Sequence, residues 1–416
     1  MIRSDDRPLA GQPWLRDPRS QVVLKALTST GRPARFVGGC VRDGLLGRAV
    51  AAQDLDLATP LRPEEVLRVL EAAEIKAIPT GIEHGTVTAV VDGWRFEITT
   101  LRRDVACDGR HAVVEFTDDF RADAARRDFT INAMSCDGEG RLYDYFGGRA
   151  DLEAGRIRFV GEAARRIAED HLRILRFFRF FAHYGREPAD PEALEACGAA
   201  ATEIRRLSGE RVQMEMLKLL AADDPLPALR LMVETGVLAQ VIPGRVALDR
   251  LARLLDVAPD ADPLLRLAAL LRPPPASDDA AQRVAERWRL ARRDAQRLEA
   301  LVTSPLPRLD VNEAERGRDL HRFGPELYAD LARLAAAETA DRAGLRKALE
   351  AARRWQPKTL PLSGDDILAL GVPPGPRVGE ILKAVEAWWI CNDFRPDHAQ
   401  CLAKARSLLT AEPGKP

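Results

Sequence analysis

The feature that most constrains this chain is a change of periodicity at about Glu162. Beyond it nearly every segment is rich in Ala, Leu and Arg, interrupted by breakers such as Pro225, Pro227, Gly236, Pro243-Gly244 and Pro273-Pro-Pro. Such a run folds as successive helices. Before it, β-rich runs alternate with helical ones. Arg35-Phe-Val-Gly-Gly reads as a strand entering a glycine turn, Val41-Arg-Asp-Gly-Leu-Leu as the start of a helix, and Asp54-Leu-Asp-Leu-Ala-Thr as a half-buried strand. Pro63 to Ala73 is helical, with Pro in its first turn. Thr86-Val-Thr-Ala-Val-Val and Trp94-Arg-Phe-Glu-Ile-Thr-Thr-Leu predict a hairpin about Asp92-Gly93. Residues 1–20 read as a loose arm, Gln21 to Thr30 as a short amphipathic helix, and Glu162 to Tyr184 as one long helix. The expected architecture is an α/β head with a mixed sheet, followed by an elongated all-α remainder. No 20–50-residue repeat supports a solenoid.

A chain of 416 residues exceeds one compact core, so several domains are expected. The formal net charge of −1 means that contact with nucleic acid must come from local clustering of the 62 Lys and Arg. Cys40, Cys107, Cys136, Cys197, Cys391 and Cys401 are scattered without a C-x-x-C pair. That argues against a disulfide framework or zinc knuckle and for reduced thiols in a cytoplasmic setting. The polar segment Met1 to Arg19 lacks the apolar stretch of a secretory signal, and no run of about 18 apolar residues predicts a membrane span.

Asp54 and Asp56 stand at i and i+2 on a predicted strand, so their carboxylates share a face. Two anions so close repel unless a cation lies between them. Mg²⁺, which takes carboxylate and phosphate oxygens together, suits the pair. On its own a D-x-D is equally a solvated strand edge. Its context is Gly38-Gly39-Cys40-Val41-Arg42-Asp43, a glycine turn and helix start immediately upstream. Backbone N–H groups there can approach a triphosphate, with Arg42 adding a guanidinium. Glu97 is a candidate third carboxylate, since Phe96 and Ile98 should face the core and leave Glu97 with Arg95 and Thr99 on the other face. A surface glutamate paired with Arg95 is the competing reading. Three acids would suit two-metal activation of an attacking hydroxyl.

Further along, Asp170, Arg173, Arg176 and Arg179 recur every third residue among Leu172, Leu175, Phe177, Phe178 and Phe180. Arginines in so apolar a frame form either a buried salt-bridge ladder or a site for a nucleotide's base and phosphates.

Taken in order, Gly38-Gly-Cys-Val-Arg-Asp, Asp54-Leu-Asp, His84-Gly-Thr-Val, Phe96-Glu-Ile-Thr-Thr-Leu-Arg, Asp108-Gly-Arg-His, Arg126-Arg-Asp-Phe-Thr-Ile-Asn-Ala and Glu169-Asp-His-Leu-Arg-Ile-Leu-Arg-Phe span residues 35 to 185. The sequence thereby resembles the class II tRNA nucleotidyltransferases, the CCA-adding enzymes, and their bacterial poly(A) polymerase relatives. The resemblance implies a polymerase-β-like head over residues 21–150, a helical neck with the nucleotide-selecting motif over 151–220, a helical body over 221–345 and a tail over 346–416. It implies template-independent addition of C, C and A to the 3′ end of tRNA from CTP and ATP, with Mg²⁺ on Asp54 and Asp56 and Glu97 as the third carboxylate. Gly39 and Arg42 would contact the triphosphate, and Arg126 and Arg127 would hold the nucleotide. Asp108 to Arg110 would be the flexible loop used in changing from C to A. Asp170 and Arg173 would read the base, with Arg176 and Arg179 as companions. Poly(A) addition, or addition of only CC or only A, is the alternative within the family; a silent RNA-binding scaffold is the alternative outside it.

Cytosine and adenine both offer an exocyclic amine beside a ring-nitrogen acceptor, whereas uracil and guanine place an oxygen where that amine stands. A carboxylate beside an arginine donor therefore favours C and A. Uracil or guanine there leaves buried groups unpaired, a mismatch of roughly 2–5 kcal/mol.

Overall fold

The computed structural model describes residues 7–51, 55–107, 112–272 and 279–410. The chain divides into two compact units. One runs to Pro243 and takes in Glu286–Arg289; the other comprises Gly244–Ala285 and the residues from Leu290 onward.

The first unit opens with α1 (Pro13–Arg16) and α2 (Pro18–Thr28), then β1 (Arg35–Val37), α3 (Gly39–Leu45), β2 (Leu55–Thr59) and α4 (Pro63–Ala72). Strands β3 (Lys76–Gly81), β4 (Thr86–Val91) and β5 (Trp94–Thr100) follow. Next come β6 (Arg102–Cys107) and β7 (Ala112–Phe116), paired as a separate two-stranded sheet, then α5 (Phe120–Ala125), β8 (Ser135–Cys136) and β9 (Leu142–Tyr143). The main sheet has the order β3-β4-β5-β2-β1-β8-β9, with β2 and β5 parallel and the other pairs antiparallel. The α/β head expected from the sequence is therefore present, with its mixed sheet.

Register assigns the two faces. Phe36, Leu57, Ile98 and Val87 pair in one row across β1, β2, β5 and β4, and each is fully buried. The neighbouring row, Val37, Asp56, Glu97 and Thr88, points to the opposite face. Burying each large side chain of the first row is worth about 1.5–3 kcal/mol, so a one-residue slip that exchanged the rows is strongly disfavoured. The β4–β5 hairpin turns at Asp92 and Gly93, with φ 46° and 80°, the left-handed pair that a two-residue turn of this kind needs.

Two expectations are corrected. From Arg7 onward the supposed loose arm belongs to the head: Leu9, Trp14, Leu15 and Ser20 are buried, and the Trp14 ring packs edge-on against Phe36 at 4.9 Å. The long helix over 162–184 is two helices. After α6 (Gly148–Ala154), α7 (Ala163–Glu169) ends at Asp170, whose φ −157° and ψ 108° are extended, and α8 (Leu172–Tyr184) begins anew. The Asp170 carboxylate accepts the Leu172 N–H at 3.1 Å, satisfying a donor that a continuous helix would have used internally. Helices α9 (Pro191–Ala199) and α10 (Gly209–Leu220) follow, and α10 packs on α8.

Every described regular element of the second unit is helical. Near its end the Gly/Pro corner between the helices Gly364–Ala369 and Pro376–Cys391 is present as expected, and Trp389 packs that region with its Nε1–H donated to the Pro396 carbonyl at 3.1 Å. Among the described residues no helix is long and apolar enough to cross a membrane.

Candidate active site

Asp56 and Glu97 stand side by side in register on the parallel pair β2–β5. Asp56 is half-buried and Glu97 exposed, while Phe96 and Ile98 on either side of Glu97 are fully buried. The face expected for Glu97 is thus the face it occupies. Among the described residues it makes no ion pair with Arg95, and Arg95 lies exposed beside it. Asp54 lies outside the described residues, as do Asp108, Gly109, Arg110 and His111.

The glycine turn comes against the same carboxylate. Gly38 caps α3 with φ 71° and ψ −126°, a conformation open to glycine. A Cβ placed on it would lie 3.4 Å from Arg127 Nη1 and 4.0 Å from Asp56 Oδ2. Glycine turn, Asp56 carboxylate and Arg127 guanidinium thus meet at one point. Arg127 is held there by its Nη2, which reaches Asp123 Oδ2 at 3.3 Å, and Arg126 donates Nε and Nη2 to Asp123 Oδ1 at 2.9 and 2.7 Å. Burial alone would raise the Asp123 carboxyl; Arg127 and Arg126 outweigh it and hold the group below its ordinary range.

Arg42 lies against the turn, its Nη2 3.7 Å from where a Cβ on Gly39 would stand. Its guanidinium is buried and engaged: Nη1 donates to Asn132 Oδ1 at 2.7 Å, Nε and Nη2 donate to Asp43, and its plane covers the Tyr184 ring at 4.2 Å. From there a polar chain runs into the neck helices. Asn132 donates to Asp128 at 3.1 Å, and Asp128 accepts Arg176 Nε at 2.7 Å. Arg176 and Arg179 both meet Glu215 of α10, at 3.7 and 3.1 Å. Burial raises Asp128, but Arg176 and Asn132 prevail and its carboxyl sits below the usual range; Arg179 is lowered, chiefly by its own burial.

The arginine stripe is therefore a salt-bridge ladder at its far end. Glu215 is only 1% exposed, and removing a partner from so buried a charge costs about 3–5 kcal/mol. Arg179 is thus paired with Glu215, and Arg176 with both Asp128 and Glu215. The near end differs. Asp170 Oδ2 accepts Arg211 Nη2 at 2.7 Å, with the two side chains 27% and 30% exposed. Such a partly exposed pair contributes only about 0–1 kcal/mol to stability. Arg173 spends Nη1 on Glu169 Oε2 at 2.6 Å and the Arg166 carbonyl at 2.8 Å, and its Nη2 reaches the Arg126 carbonyl at 3.5 Å.

Sequence reasoning missed Asp123, Asp128, Asn132, Arg211 and Glu215. Three of these lie in or beside Arg126-Arg-Asp-Phe-Thr-Ile-Asn-Ala, where Asp128 directly follows the arginine pair. Arg211 and Glu215, one turn apart on α10, carry no signal before their partners are known.

The donor set fits a hard divalent cation shared with a substrate phosphate: register-paired carboxylates, one of them exposed, beside a glycine turn and a guanidinium. Among the described residues no cluster of three acids, histidines or cysteines forms a closed metal site. An ion here would complete its shell with substrate oxygens.

The family described as "Poly A polymerase head domain" matches residues 34–158, and that described as "Probable RNA and SrmB- binding site of polymerase A" matches residues 189–248. The mitochondrial CCA tRNA nucleotidyltransferase 1 of Danio rerio is 36% identical over 366 residues, covering 85% of this chain and 83% of that protein. The CCA-adding enzyme of Lactobacillus johnsonii is 32% identical over 376 residues, covering 88% and 90%. The crystal structure of the Bacillus stearothermophilus CCA-adding enzyme in complex with CTP matches with a TM-score of 0.75 at 29% identity, over 95% of this chain and 98% of that one.

Proposed function

The chain belongs to the tRNA nucleotidyltransferase and poly(A) polymerase family, and we propose that it adds C, C and A to the 3′ end of tRNA from CTP and ATP without a nucleic-acid template, releasing diphosphate at each addition. The observation that carries this reading is the meeting of Asp56, Gly38 and Arg127 beside Glu97 on one face of the sheet. A site with acids on one side and a close-approaching backbone and guanidinium on the other suits a nucleoside triphosphate.

In this reading Asp54, Asp56 and Glu97 hold divalent cations, Mg²⁺ in the cell. A cation held there would supply Lewis acidity toward the attacking 3′-hydroxyl and offset charge on the phosphate. Gly38 and Gly39 let the backbone come close to the triphosphate. Arg127, with Arg126, neutralises its oxygens while Asp123 keeps both guanidinium groups in place. Arg42, held by Asn132 and Asp43, supports the turn. Asp170 accepts the exocyclic amine of cytosine or adenine at an acceptor position that Leu172 and Arg211 leave open, and Arg173, anchored at Nη1, offers a donor to the ring nitrogen. Arg176 and Arg179 stiffen the helix that carries them.

Incubating tRNA lacking zero to three terminal nucleotides with CTP, ATP and Mg²⁺, followed by sequencing of the 3′ ends, tests the proposal. Every product should end in CCA and stop. Long runs of A would make the enzyme a poly(A) polymerase, and ends halted at CC, or extended only by A, would make it a partial enzyme.

A further inference from the structure

Asp170 is the one base-reading candidate that sits outside regular structure, at the break between α7 and α8. A carboxylate on such a joint has rotational freedom that a template cannot tolerate, because selection depends on where its lone pairs point. Two donors remove that freedom. The Leu172 N–H binds Oδ1 at 3.1 Å, and Arg211 Nη2 binds Oδ2 at 2.7 Å from a helix 41 residues further along the chain. An ionised carboxylate has about four acceptor positions, so others remain for an incoming amine.

Arg211 is itself held to a fixed place. It lies one turn before Glu215 on α10, so the two share a face of that helix. Glu215 is buried against Arg176 and Arg179 of α8. That contact locks α10 to α8, and Arg211 therefore meets the joint at a set position. We propose that Arg211 is a positioning residue for nucleotide selection: anchored through α10 and Glu215, it sets the angle of the Asp170 carboxylate that reads the base. The inference rests on the reading of Asp170 as the base selector.

Truncated tRNA and single nucleotides test it, with kcat/KM measured for CTP against UTP and ATP against GTP in Arg211→Ala, Arg211→Lys, Asp170→Ala and the Arg211→Ala/Asp170→Ala double variant. Arg211→Ala should lower both preferences by roughly tenfold or more, with Tm close to that of the parent because the pair is partly exposed. Lysine, which can still donate to Oδ2 though not as a planar fork, should recover part of the preference. The double variant should discriminate no worse than Asp170→Ala alone, the non-additivity of two residues acting as one unit. A purely structural role would lower activity toward all four nucleotides and leave the ratios intact; that result, or additive losses in the double variant, overturns the inference. If Asp170→Ala abolishes discrimination while Arg211→Ala keeps it, the inference alone fails. If Asp170→Ala keeps it, the base-selector reading fails and takes the inference with it.

Discussion

Replacing Gly38 and Gly39 one at a time with alanine should separate what the glycine turn does for stability from what it does for substrate. Gly38 has φ 71° and ψ −126°, and a methyl group there meets Arg127 Nη1 at 3.4 Å. Holding an L-residue in that region costs about 1–3 kcal/mol. At about 2–4 °C per kcal/mol for a unit of this size, Gly38→Ala should lose roughly 2–12 °C in Tm. Gly39 has no left-handed φ, and its added Cβ would meet Arg42 Nη2 at an ordinary 3.7 Å. Gly39→Ala should leave Tm unchanged or raise it slightly, since alanine restricts the unfolded chain and suits a helix start. Both variants should lose activity, because a methyl on either residue stands where the backbone must approach the triphosphate. A displacement of about 1 Å there costs on the order of a hundredfold. Thermal unfolding monitored by circular dichroism gives the first quantity, and kcat/KM for CTP addition to truncated tRNA the second. An equal loss of Tm in the two variants, or a Gly39→Ala enzyme with undiminished kcat/KM, would refute the cradle argument.

Asp56→Asn should abolish nucleotide transfer with little change in Tm, since the half-buried carboxylate serves the substrate side of the sheet. Single-turnover incorporation at a rate comparable to the parent would remove Asp56 from the chemistry. The pH dependence of stability follows from Asp123 and Asp128, whose carboxyls are held below their ordinary range in the folded chain by the neighbouring arginines. The unfolded state binds their protons first, so their contribution is complete above that ordinary range and disappears as pH falls through the folded-state values. Tm should therefore drop more steeply below about pH 4 in the parent than in Asp128→Asn, which has one fewer such group; parallel curves would show that the Arg176 pairing contributes nothing to acid sensitivity.

The parts of this molecule legible in sequence were those set by local alternation. Phe96 and Ile98 announced their burial, and with it the exposure of Glu97, because strand side chains alternate whatever lies beyond them. The Asp92-Gly93 turn carried its own chemistry. The break at Asp170 was invisible for the opposite reason: residues 162–184 contain no Gly or Pro and keep a helical pattern throughout. What ends α7 is a capping bond and an ion pair to Arg211, a tertiary partner. The buried arm was hidden by its proline content, which disguised Leu9, Trp14 and Leu15 as linker. Strands β8 and β9, two residues each, are too short for any periodicity to register.

The far end of the arginine stripe is a salt-bridge ladder, and the proposed base-reading carboxylate, Asp170, stands at its near end. Selection of a base by a few hydrogen bonds requires that the phosphate-binding and base-reading groups keep a fixed separation. The segment from Asp123 to Asn132 provides it. Arg127 lies at the glycine turn and Asn132 on Arg42, while three of the segment's carbonyls meet the neck: Arg166 Nη2 donates to those of Ala125 and Arg127 at 3.1 and 2.8 Å, and Arg173 reaches that of Arg126. Asp128 then ties the same segment to Arg176 at 2.7 Å, and Arg176 to the buried Glu215. Fewer than a dozen covalently linked residues thus bind both ends of the candidate site. Under the proposed base-reading role of Asp170, the ladder supplies the fixed frame that discrimination needs, since a carboxylate read against a mobile frame would accept whichever base first filled the space.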